Sequence, residues 1–266
     1  MMDKEKQHSQ TPLVSVITPT YNAEEHIEET IQSVLNQTYD NYEMVIVDDC
    51  SKDRTVEIVQ SYAQQEPKIK LIQLETNQGA AVARNTAMNY AEGRFIAFLD
   101  SDDWWYPEKL EKQVAFMLDT GVAFSFTKYR RMKENGELTQ NISKAPSEVV
   151  YTDLLKHCVI GCLTVMLDRD QIGHVQMKNI RRRQDYALWL TLTKEGYKAY
   201  GLPEVLAKYR LGHNTVSSNK LKASKSQWYV YREIEKLNVI KSLYYFVHYT
   251  FYGIKNTLKS KLKNRT

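Results

Sequence analysis

The sequence FIAFLDSDD occupies residues 95–103 and carries the strongest single indication of fold and chemistry. Its first part is a short apolar run rich in β-forming residues, and Asp100, Asp102 and Asp103 follow it directly. This pattern predicts a buried strand whose carboxyl end projects acidic groups into the crevice where open α/β sheets bind ligands. Two carboxylates at i and i+2 can serve one hard cation and a diphosphate that the cation bridges. Taken alone, the motif is equally compatible with a solvated acidic turn.

The first hundred residues alternate between strand and helix patterns. We predict strands at 13–18, 42–47, 69–74 and 94–99, separated by helices at 23–37, 53–62 and 79–91. This order implies an α/β fold with a mostly parallel sheet, right-handed crossovers and helices on both faces. Asp48 and Asp49 end the second strand, so the topology brings them towards the same crevice as Asp100.

Beyond residue 103 the pattern is less regular. A helix is predicted from Pro107, because proline is tolerated in the first turn of a helix. Strands at 122–131 and 138–142 flank a hairpin signal at Gly136. Further elements are predicted as a strand at 163–167, a helix at 184–195 and a loop followed by a strand within 197–209.

Composition limits the class of protein. The 266 residues are 42% hydrophobic and 26% charged, as in ordinary globular proteins. The cysteines, Cys50, Cys158 and Cys162, lack metal-site spacing and argue against a disulfide framework or a zinc site, which favours a reducing compartment. The polar start of the chain has no apolar signal core, and no uninterrupted apolar stretch of about 18 residues predicts a membrane span. We therefore expect a cytoplasmic protein without a spanning helix.

Four short motifs occur in order along the predicted sheet. They are Pro19-Thr20-Tyr21-Asn22, VDDCSKDRT at 47–55, NQGAAVARN at 77–85 and LDSDD at 99–103. Together they closely resemble the catalytic domain of family 2 glycosyltransferases, which have the GT-A fold, a Rossmann-like α/β architecture. The resemblance is strong over residues 13–110 and extends more loosely to about residue 215.

The resemblance implies a nucleotide-diphosphate sugar as the donor, specifically a UDP-sugar. Pro19 and Tyr21 follow the first strand, and Tyr21 would stack on the base, because an aromatic face suits a flat heterocycle. Asp49 would accept a hydrogen bond from the base imide. Arg84 would reach the nucleotide or pair with an acid of the crevice. The alternatives are a core aromatic for Tyr21 and a surface ion pair for Arg84.

The resemblance also implies a divalent cation, Mn²⁺ or Mg²⁺. Asp102 would bind the metal directly, while Asp100 would contact the ribose and reach the metal through water. The cation would offset charge that develops as the nucleoside diphosphate leaves. Asp48 is expected to orient its own turn, Asp53 to cap the following helix and Asp103 to be structural.

An inverting transfer needs a base that takes the proton from the acceptor hydroxyl. Family members carry an Asp in a Glu-Asp pair that opens a helix, and the matching segment here, RQDYALWL at 183–190, makes Asp185 the candidate catalytic base. Gln184 stands where Glu is common, which removes a neighbouring negative charge. The alternative for Asp185 is a plain helix cap. Further downstream, Arg210 and His213 are candidates for contact with the diphosphate or the metal.

The end of the chain is basic and amphipathic. Residues 220–266 contain eleven Lys and Arg side chains but only two Glu, and from Trp228 to Leu262 apolar residues recur every three or four positions. A basic, aromatic-rich amphipathic helix can lie in a membrane interface, so we expect peripheral attachment to the inner face of the cell membrane. The alternatives are packing on the catalytic domain and homodimerisation. No recognised nucleic-acid-binding module accompanies the basic residues, so nucleic acid is not an expected partner.

We expect four regions in the chain. They are a flexible N-terminus at 1–12, a donor-binding half at 13–110, an acceptor-binding half at 111–219 and the basic helical tail at 220–266. The expected activity is inverting, metal-assisted transfer to a lipid-linked or oligosaccharide acceptor in cell-surface polysaccharide synthesis, for example of teichuronic acid. The processive Gln-x-x-Arg-Trp signature is absent from the sequence, which favours single transfers.

Two other functions stay open on the sequence alone. A non-catalytic nucleotide-sugar-binding subunit would keep the donor motifs without needing Asp185. A nucleotidyltransferase also combines an α/β sheet with metal-binding carboxylates. It would carry a glycine-rich, basic triphosphate loop after the first strand, and the PTYN segment at 19–22 disfavours this alternative.

Overall fold

The computed structural model describes residues 11–212 and 220–263 of the chain. The first half alternates strands and helices in the order β1 (Val14–Thr20), α1 (Ile27–Leu35), β2 (Tyr42–Asp48), α2 (Thr55–Gln65), β3 (Ile69–Gln73), α3 (Ala80–Tyr90) and β4 (Phe95–Phe98). Each element predicted for this half is present, with ends that differ by a few residues. The predicted flexible N-terminus lies almost wholly outside the described residues, and His213 lies outside them too.

The second half mixes long and very short elements. They are β5 (Trp104–Trp105), α4 (Lys109–Thr120), β6 (Phe124–Lys133), β7 (Leu138–Ile142), β8 (Glu148–Val149), α5 (Tyr151–Lys156), β9 (Met166–Asp168), α6 (Arg169–Ile172), α7 (Gln184–Lys194) and β10 (Ala199–Leu211). The predicted hairpin joins β6 and β7. The strand expected at 163–167 is displaced, because Cys162–Thr164 form a 3-10 turn before β9 begins. β5, β8, α5 and α6 have no counterpart in the sequence pattern, since elements this short contain too few residues for a periodicity.

One sheet of ten strands runs through both halves of the described chain. Neighbouring strands follow the order β3-β2-β1-β4-β9-β6-β10-β5, with β7 beside β6 and β8 beside β10. β1 is parallel to β2 and β4, β2 to β3, and β6 to β10. β9 runs antiparallel between β4 and β6. The predicted α/β class with a mostly parallel sheet is confirmed.

The helices cover both faces of this sheet. Val16 and Ile46 belong to a buried cluster with residues of α1, α2 and α4, whereas Ile17 and Val47 belong to a second cluster with residues of α3, α5 and α7. Successive residues of a strand point to opposite faces, so each strand contributes to both clusters. Because both faces are covered, the carboxyl ends of the parallel strands form the open edge of the sheet.

The C-terminal region consists of two helical pieces. α8 (Lys220–Tyr229) continues into a π-helical turn at Val230–Ile234, and α9 (Val239–Lys263) follows after a break. The amphipathic C-terminal helix is therefore confirmed in α9. The expectation that apolar residues from Trp228 onwards share one face of a single helix is wrong.

Local backbone geometry explains the break. Lys236 has a left-handed φ of 52°, which interrupts the helical path. The Asn238 side chain then accepts a hydrogen bond from Lys241 N at 2.9 Å and caps the start of α9. Apolar spacing alone does not predict that one helix ends and another begins here, because the three- and four-residue steps continue across the break.

Candidate active site

The open edge at the carboxyl ends of β1, β2 and β4 gathers the sequence motifs. β1 and β2 end at Thr20 and Asp48, and β4 ends two residues before Asp100. β4 joins β1 on the side away from β2, so the strand order reverses here, which is where open α/β sheets form a ligand crevice. Tyr21, directly after β1, is 49% exposed and is therefore not a core aromatic.

The loops after β1 and β2 are tied together by hydrogen bonds. Asn22 N donates to Ser51 Oγ at 2.9 Å, and Lys52 N donates to Asn22 Oδ1 at 2.8 Å. Asn22 and Cys50 adopt left-handed φ values of 48° and 67°. Such conformations are costly for residues with a Cβ and persist where the surrounding structure holds them. The loop that carries Tyr21 is thus attached to the turn after β2.

Asp48 and Asp49 bind backbone groups of different loops. The Asp48 carboxylate accepts from Ser51 N at 2.8 Å and shapes its own turn, as expected. The two carboxylate oxygens of Asp49 accept from Gln78 N and Gly79 N, each at 2.7 Å. Gly79 has a φ of 92°, which residues with a side chain rarely adopt. Asp49 therefore holds the loop that leads into α3, and its contact with the base stays a prediction.

Asp53 holds the start of α2. Its carboxylate accepts from Thr55 N at 3.0 Å, which satisfies a backbone donor in the first turn of the helix. It also accepts from Glu24 N at 3.1 Å, in the loop before α1. These bonds agree with the capping role predicted for Asp53 and leave it no part in the crevice.

Arg84 is a buried cation of the crevice. It lies on α3, is 7% exposed, and donates from Nη2 to Asp100 Oδ1. Burial lowers the pKa of Arg84, but the negative charges of Asp100 and Asp185 raise it by more, so the net shift is upwards. Arg84 is predicted to reach the nucleotide or to pair with an acid of the crevice, and in the structure it pairs with the acid. Asp185 is also close enough to act on the charge of Arg84, so residues of both halves of the chain meet here.

The three carboxylates after β4 lie close together. Burial, followed by the charge of Asp100, raises the pKa of Asp102. Burial also raises the pKa of Asp103 well above its usual value, and the two neighbouring carboxylates add to that shift. Asp103 is 2% exposed and accepts from Arg210 N at 3.0 Å, and its backbone oxygen accepts from Thr30 Oγ1 at 2.8 Å. The segment is therefore an anchored turn and not a solvated one.

Arg210 supports this acidic turn from β10. Its Nε donates to Asp102 O and its Nη1 donates to Glu134 O, each at 3.0 Å. Its Nη2 pairs with Glu29 Oε2 at 2.5 Å. The residue is 3% exposed, so its guanidinium is committed to these protein groups. The expectation that Arg210 is a candidate for contact with a diphosphate is corrected to a supporting role.

Asp185 lies in the first turn of α7, which begins without a side-chain cap. Arg183, directly before the helix, has a left-handed φ of 67° and donates from Nη2 to the Tyr249 hydroxyl on α9 at 2.8 Å. Burial raises the pKa of the Cys158 thiol, and the charge of Asp185 adds to this effect. The charge of Asp185 therefore acts on both Cys158 and Arg84. Its role as a base stays a prediction.

Asp100 and Asp102 are the carboxylates available to a cation in the crevice. Within the two described ranges, no group of three or more His, Cys, Asp and Glu side chains is arranged to hold a metal ion. Mg²⁺ is usually bound through one or two carboxylates together with substrate phosphates and water, and not by an all-protein cage. The two carboxylates therefore fit a cation that is completed by a diphosphate.

Two supports of the site have no signal in the sequence pattern. The first is His26, before α1, whose charge lowers the pKa of Asp102 and so opposes the effect of burial. The bond from Arg183 to Tyr249 joins residues 66 positions apart. Contacts over such separations leave no local periodicity, so the only available hint is that Arg183 directly precedes the Gln184-Asp185 pair.

Comparisons with known proteins agree on one family. The Glycosyl transferase family 2 model matches residues 15–171. The Bacillus subtilis protein TuaG, assigned to teichuronic acid biosynthesis as a glycosyltransferase, is 53% identical over 251 residues, which cover 94% of this chain and 98% of the relative. The Escherichia coli protein WfgD, a UDP-Glc:α-D-GlcNAc-diphosphoundecaprenol β-1,3-glucosyltransferase, is 42% identical over 244 residues, 91% of this chain and 94% of WfgD.

A solved structure shows the same fold. S. aureus TarS in complex with UDP-GlcNAc superimposes with a TM-score of 0.67 and 26% sequence identity. The match covers 83% of this chain and 65% of the TarS chain.

Proposed function

The chain belongs to glycosyl transferase family 2 and has the GT-A fold, and we propose that it transfers a sugar from a UDP-sugar to a lipid-linked saccharide. The UDP-sugar is supported by the UDP-GlcNAc complex of TarS and by the UDP-glucose donor named for WfgD. The lipid-linked acceptor is supported by the diphosphoundecaprenol substrate in the name of WfgD. The similarity to TuaG supports a place in cell-surface polysaccharide synthesis, such as that of teichuronic acid.

The observation that carries the proposal is that carboxylates from both halves of the chain act on the buried Arg84: Asp100 by a hydrogen bond and Asp185 through its charge. Asp100 belongs to the motif predicted to bind the donor, and Asp185 is the predicted base on the acceptor side. A direct transfer requires the donor and the acceptor hydroxyl to approach in one crevice. Because residues of both halves act on Arg84, the structure supports one crevice that donor and acceptor share.

Donor binding is assigned to the loops after β1, β2 and β4. Tyr21 offers an exposed ring to the base, next to Pro19 at the end of β1. Asp49 and the loop that it holds form the wall beside the base. Asp100, which is 31% exposed, is oriented by Arg84 and contacts the ribose. The donor half and acceptor half then correspond to residues 13–110 and 111–219.

Asp102 is assigned as the direct ligand of the metal, and Asp100 is assigned a contact with the metal through water. When bound, Mn²⁺ or Mg²⁺ would stabilise the negative charge of the departing nucleoside diphosphate. The raised pKa of Asp102, which is caused by burial and by the charge of Asp100, reflects a carboxylate that a cation would stabilise in its ionised form.

The deprotonation of the acceptor hydroxyl is assigned to Asp185. We infer that this carboxylate takes the proton as the hydroxyl oxygen attacks the anomeric carbon from the face opposite the diphosphate, which inverts that carbon. Gln184 beside it is neutral, so it does not add a like charge next to the base. One sugar is transferred in each encounter, at the inner face of the cell membrane.

Calorimetric titration of the purified chain tests the proposal. UDP, GDP and TDP are titrated separately in the presence of Mn²⁺ and again with excess EDTA. The proposal expects binding of UDP in preference to the other two and a loss of affinity in EDTA. Absence of binding to any nucleotide, or a preference for GDP, would contradict it. A radiolabelled transfer assay with UDP-sugars and a diphosphoundecaprenol-linked saccharide then tests the acceptor.

A further inference from the structure

Helix α9 presents a stripe of exposed apolar side chains on its outer face. The most exposed are Ile240 at 80%, Val247 at 66%, Phe251 at 62% and Ile254 at 57%. Leu243 and Tyr244 lie on the same side and are about half exposed. Single apolar residues are common on protein surfaces, but a contiguous stripe of this kind marks an interaction site.

The opposite face of α9 holds the helix on the domain. Ser242 is fully buried, and the Phe246 ring packs edge-on against Trp228 with centroids 5.6 Å apart. The Tyr249 hydroxyl accepts from Arg183. The helix therefore already has a face packed on the protein, and the apolar stripe is a second face for which the described residues supply no cover.

The stripe keeps to one side of the helix. Ile240, Val247 and Ile254 recur every seven residues in the sequence, and Tyr244 and Phe251 repeat the same interval. Two turns of a straight helix contain about 7.2 residues, so these side chains stay on one side from Ile240 to Ile254. A seven-residue repeat also suits pairing with a second helix, so the charge on α9 has to distinguish a lipid surface from a second copy.

The charge on the helix indicates the chemistry of the partner. From Val239 to Thr266 the sequence contains no Asp or Glu, and its charged residues are Lys241, Lys255, Lys259, Lys261, Lys263 and Arg265. Two copies of this helix would bring like charges together. An anionic surface would attract all of them, and Lys side chains beside an apolar stripe can extend to lipid headgroups.

We propose that the outer face of α9 docks on an anionic lipid bilayer, with the apolar stripe among the acyl chains and the basic residues at the headgroups. The helix lies in the plane of the membrane interface. None of the helices in the described ranges is both long enough and apolar enough to cross a bilayer. The reason for docking rests on the proposed function, because it places the enzyme beside a lipid-linked acceptor.

Contacts of α9 connect the docked face to the crevice. Arg183, two residues before Asp185, donates to Tyr249, and the His157 ring stacks on Tyr252 with centroids 5.1 Å apart. Both aromatic residues belong to α9. The acceptor side of the crevice is therefore attached to the helix that carries the apolar stripe.

Vesicle flotation with the full chain tests this surface. Vesicles of phosphatidylcholine alone are compared with vesicles of equal parts phosphatidylcholine and phosphatidylglycerol. The docking proposal expects flotation with the anionic vesicles, weakened by high salt, and little with the neutral ones. The double variant Val247→Glu and Phe251→Glu is expected to lose at least about tenfold in vesicle partitioning. Leu118→Glu, a similar change at a 45% exposed apolar residue of α4, is expected to float like the wild type.

Three results would overturn the docking surface. The first is that the wild type does not float with anionic vesicles, and the second is that the double variant floats as well as the wild type. The third is a wild-type dimer in light scattering that the double variant abolishes, which would assign the stripe to a second copy. Circular dichroism and UDP affinity of the double variant, both expected to be unchanged, show that the domain is folded. UDP binding without vesicle binding rejects only the docking surface, whereas vesicle binding without UDP binding rejects only the proposed function.

Discussion

The Arg84 guanidinium donates to the Asp100 carboxylate across the crevice, and the two partners differ in their access to water. The Arg84 side chain is 8% exposed, whereas that of Asp100 is 31% exposed. An unpaired charge costs more when it is buried than when it is hydrated. The pair therefore supports the fold mainly by neutralising Arg84, and it leaves Asp100 accessible to a ligand.

The first prediction follows from this asymmetry. Asp100→Asn is expected to lower the free energy of unfolding by about 2–3 kcal/mol, because it leaves a buried guanidinium without its counter-charge. Arg84→Met is expected to cost only about 1 kcal/mol, since the Asp100 carboxylate stays partly hydrated. Urea unfolding followed by circular dichroism measures both values.

The double variant Arg84→Met with Asp100→Asn provides the control. It removes both charges, so it is expected to be more stable than Asp100→Asn alone. If the loss in free energy of unfolding of the double variant equals the sum of the losses of the two single variants, the two side chains are not coupled and the ion pair does not stabilise the fold.

The second prediction concerns Asp102. Asp102→Asn is expected to reduce Mn²⁺-dependent UDP affinity by about tenfold or more and to leave the residual binding insensitive to EDTA, because a direct carboxylate ligand is lost. Isothermal titration calorimetry measures the affinities. Asp119→Asn, at an exposed position at the end of α4, is the matched control and should bind UDP like the wild type. Unchanged Mn²⁺-dependent affinity in Asp102→Asn would reject the metal assignment.

The third prediction separates catalysis from binding at Asp185. Asp185→Asn is expected to reduce kcat by about 10²–10⁴, the usual contribution of a general base, with UDP affinity unchanged. Transfer assays at saturating donor and calorimetry measure the two properties. Glu195→Gln removes an exposed acid directly after the same helix and should keep its activity. Normal turnover by Asp185→Asn would exclude it as the base.

The fourth prediction is a pH dependence of stability at Asp168 on β9. Burial raises the pKa of this carboxyl, but hydrogen bonds from Arg94 and Gln171 lower it by more, so it lies below the usual 3.8. The ionised form therefore stabilises the fold above that value, and the stabilisation is lost as the pH falls through the lower, folded pKa. Asp168→Asn is expected to cost about 1–2 kcal/mol at pH 7, a range reduced because Arg94 is 36% exposed.

Urea unfolding between pH 7 and pH 3 measures this effect. The difference between wild type and Asp168→Asn should be constant down to about pH 4.5 and should shrink below about pH 4. Asp170→Asn is the control, because its carboxylate is 69% exposed and lies 3.4 Å from Arg94 Nε, so its loss should change stability little at any pH. A difference that grows in acid would contradict the sign of the pKa shift.

The fifth prediction uses the cysteines as probes. Burial raises the pKa of Cys158 to about 12 and that of Cys162 well above its usual value, so both thiols stay protonated and unreactive in the native protein. Cys50 and Cys158 are both partly exposed, so the raised pKa of Cys158 is the reason that Cys50, in the turn after β2, should be alkylated first by iodoacetamide at neutral pH. Mass spectrometry of tryptic peptides identifies the site.

A ligand effect on Cys50 reports on the nucleotide site. UDP with Mn²⁺ is expected to slow its alkylation, because the turn that contains Cys50 is hydrogen-bonded to the loop that carries Tyr21. The same experiment in Cys50→Ser should show little labelling before unfolding. Rapid labelling of Cys162 in the native protein would contradict its burial.

The first four strands and three helices are predictable from the sequence because their signals are local. Apolar runs, helical spacing and terminal Asp or Gly residues act within a few positions of one another, as at Asp53 before α2 and Gly79 before α3. The parallel arrangement then follows from the handedness of the crossovers, which places Asp48 and Asp100 at one edge. The four motifs identify the family for the same reason, since each is a short continuous stretch of sequence.

The second half and the tail are less predictable. β9 has three residues and enters the sheet antiparallel, held by the pair of Asp168 and Arg94 over 74 positions of sequence. No periodicity fits within so short a strand. The break before α9 depends on the left-handed backbone of one residue, Lys236, and the apolar spacing does not predict it.

Local patterns predict the order of the main elements, the family and the acidic residues that follow the strands, because secondary structure and motifs depend on neighbours in sequence. The environments of those residues come from the packing of distant segments: Asp103 is buried against Arg210, Asp100 is paired with Arg84, and the charge of Asp185, on another helix, acts on the same cation. Desolvation and the distances between charges depend on segments far apart in the chain, so no local pattern predicts them.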